Sequence, residues 1–270
     1  MNTTLDASRV STDLFWRNLA ELPYFLALLR SVEARFYQDI ELPRPILDIG
    51  CGDGHFSSVA FNHPLEVGLD PSKKSLVEAK SKGSYQFLLQ AQGGQIPFAD
   101  ESFGSVVSNS VLEHIPNLQP VLLEISRVLE SGAPFVFCVP NHNFLPALSI
   151  GSILDSLRLG LLGNVYRNFF NRISRHYHCD PPEIWNHRLE KTGFQVDNWW
   201  HYFPPRTLRV MEWGHYFGLP SLLIRWVTGR WILLPTQSNL AITHRILRNH
   251  FETDPICADG VYTFFVAHKV

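Results

Sequence analysis

From residue 11 to 38, apolar residues return at helical spacing: Leu14, Leu19, Phe25, Leu28, Leu29, Val32 and Phe36, with Glu and Arg between them. That periodicity predicts an amphipathic helical segment, which the run Leu42-Pro43-Arg44-Pro45 ends. Beyond it the period changes. Ile46–Ile49, Leu65–Asp70, Tyr85–Leu89, Phe103–Ser108 and Pro134–Val139 are short apolar runs of strand length. Helical patterns separate them, starting near residue 54 and covering Ser72–Lys82 and Pro120–Glu130. Pro181–Thr192 reads as a further helix stopped by Gly193, and Phe194–Trp200 and Val261–Val270 as two last strands. Strands alternating with helices of this length predict a mostly parallel, seven-stranded doubly wound sheet with helices on both faces.

Two segments interrupt the alternation. Residues 141–180 and 202–260 are too long for ordinary loops, which marks them as functional insertions after the fifth and sixth strands. The expected organisation is one domain of 270 residues. It comprises an N-terminal helical segment (1–42), a core (43–140), two cap insertions, and segments 181–201 and 261–270 that complete the sheet.

Composition sharpens this picture. With 45% hydrophobic residues the chain can bury a full core, and its 18% charged residues fall below the usual quarter. Disorder and a membrane-spanning segment are both unexpected. A net charge of −2 excludes a globally basic surface, so no nucleic-acid partner is expected. The average conceals a split, since residues 1–140 hold 10 basic and 16 acidic residues and residues 141–270 hold 13 and 9. Six of the seven Trp lie in the second half. Cys51, Cys138, Cys179 and Cys257 form no C-x-x-C pair, which suits a reducing cytosol rather than a disulfide framework. The opening residues, MNTTLDASRV, lack the basic-then-apolar pattern of a secretory leader. A cytoplasmic location is therefore expected.

The informative run is Ile46-Leu47-Asp48-Ile49-Gly50-Cys51-Gly52-Asp53-Gly54-His55. Glycines between a strand and a helix let the backbone turn tightly and admit a ligand close to the main chain. A dinucleotide fingerprint needs its third glycine where His55 stands, and Asp48 would repel a pyrophosphate. The acid instead favours a cationic or zwitterionic ligand. Asp70 ends the next strand, where a carboxylate can accept from both hydroxyls of a ribose or cap the following helix.

At these residues the sequence resembles the class I S-adenosylmethionine-dependent methyltransferases, in particular their small-molecule type 11 subgroup. Ile96-Pro97-Phe98-Ala99-Asp100-Glu101-Ser102-Phe103 followed by Val111-Leu112-Glu113-His114 extends the resemblance, which is strong over residues 43–140. It implies a Rossmann-like fold and S-adenosylmethionine as cofactor. The cofactor would be held by Asp48, Gly50, Cys51, Gly52, Gly54, Asp70, Pro71, Gln90, Ala91, Gln92, Asn109 and Ser110. One departure is Leu89-Gln90-Ala91-Gln92, where the family usually has an acid for the adenine amino group. A Gln amide oxygen can accept the same bond.

Methyl transfer from a sulfonium needs positioning more than covalent help, and a base only where the acceptor keeps its proton. His114, His142 and His176 are the catalytic candidates, with Tyr166, Tyr177 and His178 near them in sequence. Arg175-His176-Tyr177-His178-Cys179-Asp180 lacks a zinc spacing partner, so no metal is expected. The insertions at 144–163 and 202–234 are rich in Leu, Trp and Phe bordered by Arg. They read either as peripheral contacts with a membrane or as a lid over a hydrophobic pocket. The expected reaction is methylation of an O or C atom of a small hydrophobic or lipid-like molecule. The rivals are N- or O-methylation of a soluble metabolite and a silent cofactor-binding scaffold.

Overall fold

The computed structural model describes residues 14–270. The opening decapeptide and residues 11–13 of the expected first helix lie outside the described residues. Residues 14–21 are helical (α1), and the expected continuous segment breaks before α2 (Tyr24–Tyr37). The break falls at Pro23, which has no N–H to continue a helical ladder.

The alternation then follows: β1 (Ile46–Ile49), α3 (His55–Ala60), β2 (Leu65–Asp70), α4 (Lys73–Lys82), β3 (Tyr85–Gln90), β4 (Ser105–Asn109), α5 (Gln119–Val128) and β5 (Pro134–Pro140). The first insertion forms α6 (Ser149–Ser156) and α7 (Gly160–Ser174). After α8 (Pro182–Glu190) and β6 (Phe194–Tyr202) come α9 (Pro205–Phe217), α10 (Leu219–Thr228) and α11 (Gln237–Glu252), and β7 (Tyr262–Lys269) closes the chain. β4 begins two residues later than its apolar run suggests. The Phe103 backbone bonds Val128 and Glu130, pairing it with the segment after α5 instead of the sheet.

The seven strands form one sheet in the order β3-β2-β1-β4-β5-β7-β6. β1 to β5 run parallel, and β7 lies antiparallel between β5 and β6. Both faces are buried, and side chains alternate between them. Along β5, Phe135, Phe137 and Val139 pack with α5 and α8 residues such as Leu122, Ile125, Trp185 and Leu189. Val136 and Cys138 face the opposite core, with Val32, Leu208 and Leu247.

The two insertions are joined by a buried carboxylate. Glu212 of α9 accepts from the Ser149 N–H and hydroxyl, both at 2.6 Å, the Ile150 N–H at 3.1 Å and the Tyr166 hydroxyl at 2.6 Å. It thereby satisfies orphan N–H groups at the start of α6, which lacks a side-chain cap of its own. Among the described residues, no helix is long and apolar enough to cross a membrane.

Candidate cofactor and acceptor site

Because β1 to β4 are parallel and in register, their carboxyl ends share one sheet edge. Asp48 stands opposite Gly68 and Val107, and Asp70 opposite Gln90. The strand order reverses between β1 and β4, which opens a crevice there, the usual ligand position in such sheets.

The glycine turn spans this crevice. Gly50, Gly52 and Gly54 have φ of 77°, 54° and 73°, values costly to any residue with a Cβ. At Gly50 a Cβ would lie 2.4 Å from a Val111 methyl, whereas at Gly52 it would meet nothing within 4 Å. Gly52 is therefore where the main chain lies open to a ligand. His55, in the place of a third glycine, is buried with its ring nitrogens 3.2 Å from Glu21 and 2.9 Å from Asn18, tying α3 to α1. The Cys51 side chain points into the core beside Gly68, so only its backbone can meet a ligand.

Asp48 is buried, and its Oδ2 accepts from Ser57 at 2.7 Å and Tyr85 at 2.6 Å. Burial pushes its carboxyl up to about 6, against the pull of those two hydroxyls. Among the described residues no donor reaches Oδ1, which stays available at the crevice. Asp70 is half-buried, with Oδ2 accepting from the Gly52 N–H at 3.0 Å and Oδ1 from the Ser72 N–H at 2.8 Å. Ser72, not Asp70, caps α4 by accepting from the Ser75 N–H. Each Asp70 oxygen thus keeps a lone pair for a further donor. Gln90 is exposed and donates to the Pro71 carbonyl at 3.2 Å, which leaves its amide oxygen as an acceptor. Ala91 is half-buried and Gln92 exposed, directly beyond β3.

Asn109 and Ser110 reach the crevice, but their side chains turn toward Glu33. This buried α2 carboxylate accepts from Asn109 at 2.7 Å, Ser110 at 3.1 Å, Tyr202 at 3.0 Å and Arg30 at 2.7 Å. The hub joins α2, β4 and β6, and it leaves Asn109 and Ser110 mainly their backbone for a ligand. Glu33 was not among the candidates from sequence. The available signal was its place one turn after Leu29, which sets a charge on the apolar stripe of the helix.

Next to the hub lies a cavity of about 180 Å³. Leu26, Leu29, Phe144, Met211 and Tyr262 supply apolar wall, and Arg30, Ser110, Glu113, His114, His176 and His215 supply polar groups. Burial pulls the His176 imidazole down to about 3 and lowers His114, so both rings are neutral near pH 7. Burial pushes the Glu113 carboxyl up to about 8. The structure therefore brings His114 and His176 together, 62 residues apart in sequence, with ring centroids 5.4 Å apart. It sets His142 elsewhere: that side chain is exposed against His201 and does not line the cavity. Tyr166 faces Glu212, Tyr177 is exposed, and His178 bonds the Ile115 carbonyl.

A family model described as "Methyltransferase domain" matches residues 47–137, the stretch holding β1 to β5 and the glycine turn. Over this stretch the chain matches a methyltransferase domain. Its methyltransferase relatives include the malonyl-[acyl-carrier protein] O-methyltransferase of Legionella pneumophila, 35% identical over 101 residues (35% of this chain, 36% of that protein). The ubiquinone biosynthesis O-methyltransferase of Coxiella burnetii is 29% identical over 136 residues, 48% of this chain and 58% of that one. The chain thus spans between about a third and just over half of the length of these relatives. Among solved structures, a SAM-dependent methyltransferase from Thermotoga maritima shares the fold at TM-score 0.55 and 14% identity, covering 92% and 91% of the two chains. The geranyl diphosphate C-methyltransferase of Streptomyces coelicolor does so at 0.53 and 14%, covering 89% and 77%.

The cofactor of this methyltransferase domain is S-adenosylmethionine, and the residues fit it. The open main chain at Gly52 and the two free lone pairs of Asp70 are what an amino-acid tail and a ribose diol need. S-adenosylmethionine supplies an electrophilic methyl group when bound.

Proposed function

We propose that this chain transfers a methyl group from S-adenosylmethionine to an O or C atom of a small hydrophobic or lipid-like molecule. In this reading Asp48, Asp70, Gln90 and the Gly50–Gly54 turn hold the cofactor. The observation that supports the acceptor class is the cavity beside Ser110, where Leu26, Leu29, Phe144, Met211 and Tyr262 give apolar wall among polar groups. A dry cavity of about 150 Å³ accommodates benzene, so 180 Å³ fits one ring or a chain end rather than a whole lipid. The imidazoles of His114 and His176 line this cavity and position an acceptor oxygen there. Positioning in a water-poor site is the main contribution expected of the protein. A base as weak as His176 holds little of a proton, so its role is orientation.

Incubating the purified chain with methyl-labelled S-adenosylmethionine and a total lipid extract tests the proposal, with mass spectrometry of both phases. Label is expected in an apolar product; label confined to water-soluble products would reject the acceptor class.

The reading includes contact with a membrane surface through the insertions. Its support is the apolar exposure that remains after folding. Leu161 of α7 and Trp226 of α10 are each 85% exposed, with Leu162, Val165, Phe217, Leu223 and Val227 exposed beside them in sequence. Arg158 and Arg230 are exposed at the borders. Other residues of the same insertions, Phe144, Phe170 and Met211, are buried in the core and serve as lid. Unpaired apolar surface with cationic borders suits an interfacial segment. The chain is expected to float with anionic vesicles, and Leu161→Asp with Trp226→Asp to abolish most of that flotation. A wild-type chain that stays with the protein pellet would leave these insertions as lid alone.

A further inference from the structure

Glu113, His114 and His176 bring a carboxylate oxygen and two ring nitrogens to within 4.8 Å of one another in the wall of the cavity. We propose that these three residues form a site for a divalent transition metal of the zinc type, open on its fourth side to the cavity. Two imidazoles and one carboxylate are a donor set found at catalytic zinc centres that keep an open position.

A second, independent observation points to a missing ligand. Glu113 is only 1% exposed, yet its Oε2 has no hydrogen-bond partner among the described residues. Buried polar atoms are rarely left so, and an absent ion is one standing explanation.

The surroundings prepare the nitrogens as well. The His114 Nδ1 lies 3.1 Å from the Arg175 carbonyl, which fixes the proton there and leaves Nε2, 3.8 Å from Glu113 Oε1, as the free donor. A carbonyl behind the far nitrogen is the usual support of a ligating histidine. Two more ties fasten the loop carrying His176 to the turn carrying Glu113. The Tyr177 N–H donates to the Glu113 carbonyl at 2.7 Å, and His178 pairs with the Ile115 carbonyl at 2.9 Å. Tetrahedral ligands around zinc sit about 3.4 Å apart. Closing from 4.8 Å therefore asks for side-chain rotation, not movement of the fastened backbone.

Charge bears on what the metal does. Arg30 is paired with Glu33 at 2.7 Å, so a dication bound by one carboxylate would leave a net charge of +1 at the cavity. An acceptor bound as its oxyanion, a phenolate or enolate, completes neutrality. This last clause rests on the acceptor reading proposed above; the metal site does not.

Titrating the full chain with Co²⁺ alone, without acceptor, tests the site through the visible absorption bands of protein-bound cobalt. One equivalent is expected to develop bands, and Zn²⁺ to displace them. Glu113→Gln and His176→Ala are each expected to weaken binding at least tenfold. His176 lies on a loop, so its variant remains informative if the change at buried Glu113 prevents folding. No bands, or bands that persist when His114 and His176 are both alanine, would overturn the proposal. Methyl transfer without metal binding would remove the site and leave the acceptor reading standing.

Discussion

Glu33→Ala is expected to lower the melting temperature by at least about 12 °C, the largest stability loss expected of any single substitution in this chain. The side chain is fully buried and is the shared acceptor for Arg30, Asn109, Ser110 and Tyr202. Removing it leaves three neutral donors unpaired and one guanidinium without its counter-charge. Breaking a buried ion pair from one side costs about 3–5 kcal/mol. Arg30 retains 23% exposure, so water can partly solvate it and the lower half of that range applies to the pair. The lost bonds from Tyr202, Asn109 and Ser110 add to it, at about 1–3 kcal/mol for each donor left dry. For a domain approaching this size, 1 kcal/mol moves the midpoint by about 2–4 °C. Glu33→Gln keeps an acceptor oxygen and should recover part of the loss. Thermal unfolding followed by circular dichroism reads both variants; a shift below about 2 °C for Glu33→Ala would show that the hub does not hold α2 against the sheet.

Asp70→Ala is expected to weaken S-adenosylmethionine binding by about 1–3 kcal/mol, or roughly 5- to 150-fold, by titration calorimetry. Two effects act in the same direction. The ligand loses an acceptor at the end of β2. The Gly52 N–H also loses the bond that holds the glycine turn against the end of β2. Asp70→Asn separates them, because its oxygen can still accept from Gly52 while the charge and one lone-pair set are gone. Wild-type affinity in Asp70→Ala would refute the ribose contact. No measurable binding by the unaltered chain would remove the cofactor assignment altogether.

Much of the cofactor half was legible in the chain. The seven strands and the helices between them appear close to the apolar runs that predict them, because both sheet faces are buried and each strand must be apolar almost throughout. The glycine turn was equally plain: positive φ at Gly50, Gly52 and Gly54 is a local backbone demand, and residues without a Cβ meet it. The insertions also announced themselves, as long stretches that break the alternation of strands and helices.

What the residues could not display was how distant polar groups would pair. Asn109 and Ser110 looked free at a strand end, yet both turn to Glu33, 76 and 77 residues earlier. Asp48 looked like an open carboxylate, yet one of its oxygens is held beneath the turn by Ser57 and Tyr85. His142 read as well as His114 or His176 did, and only the path of the chain after β5 sets it outside the cavity. That His176 of the Arg175–Asp180 run meets Glu113 and His114, some 60 residues upstream, likewise has no mark in the run itself.

Sequence alone therefore determined the sheet and the glycine turn, since hydrophobic period and backbone conformation act over a few residues. Tertiary structure decided which buried charges meet and which side chains remain free for a ligand. A buried carboxylate takes its partners from whatever the fold brings within about 3 Å, and that distance has no counterpart along the chain.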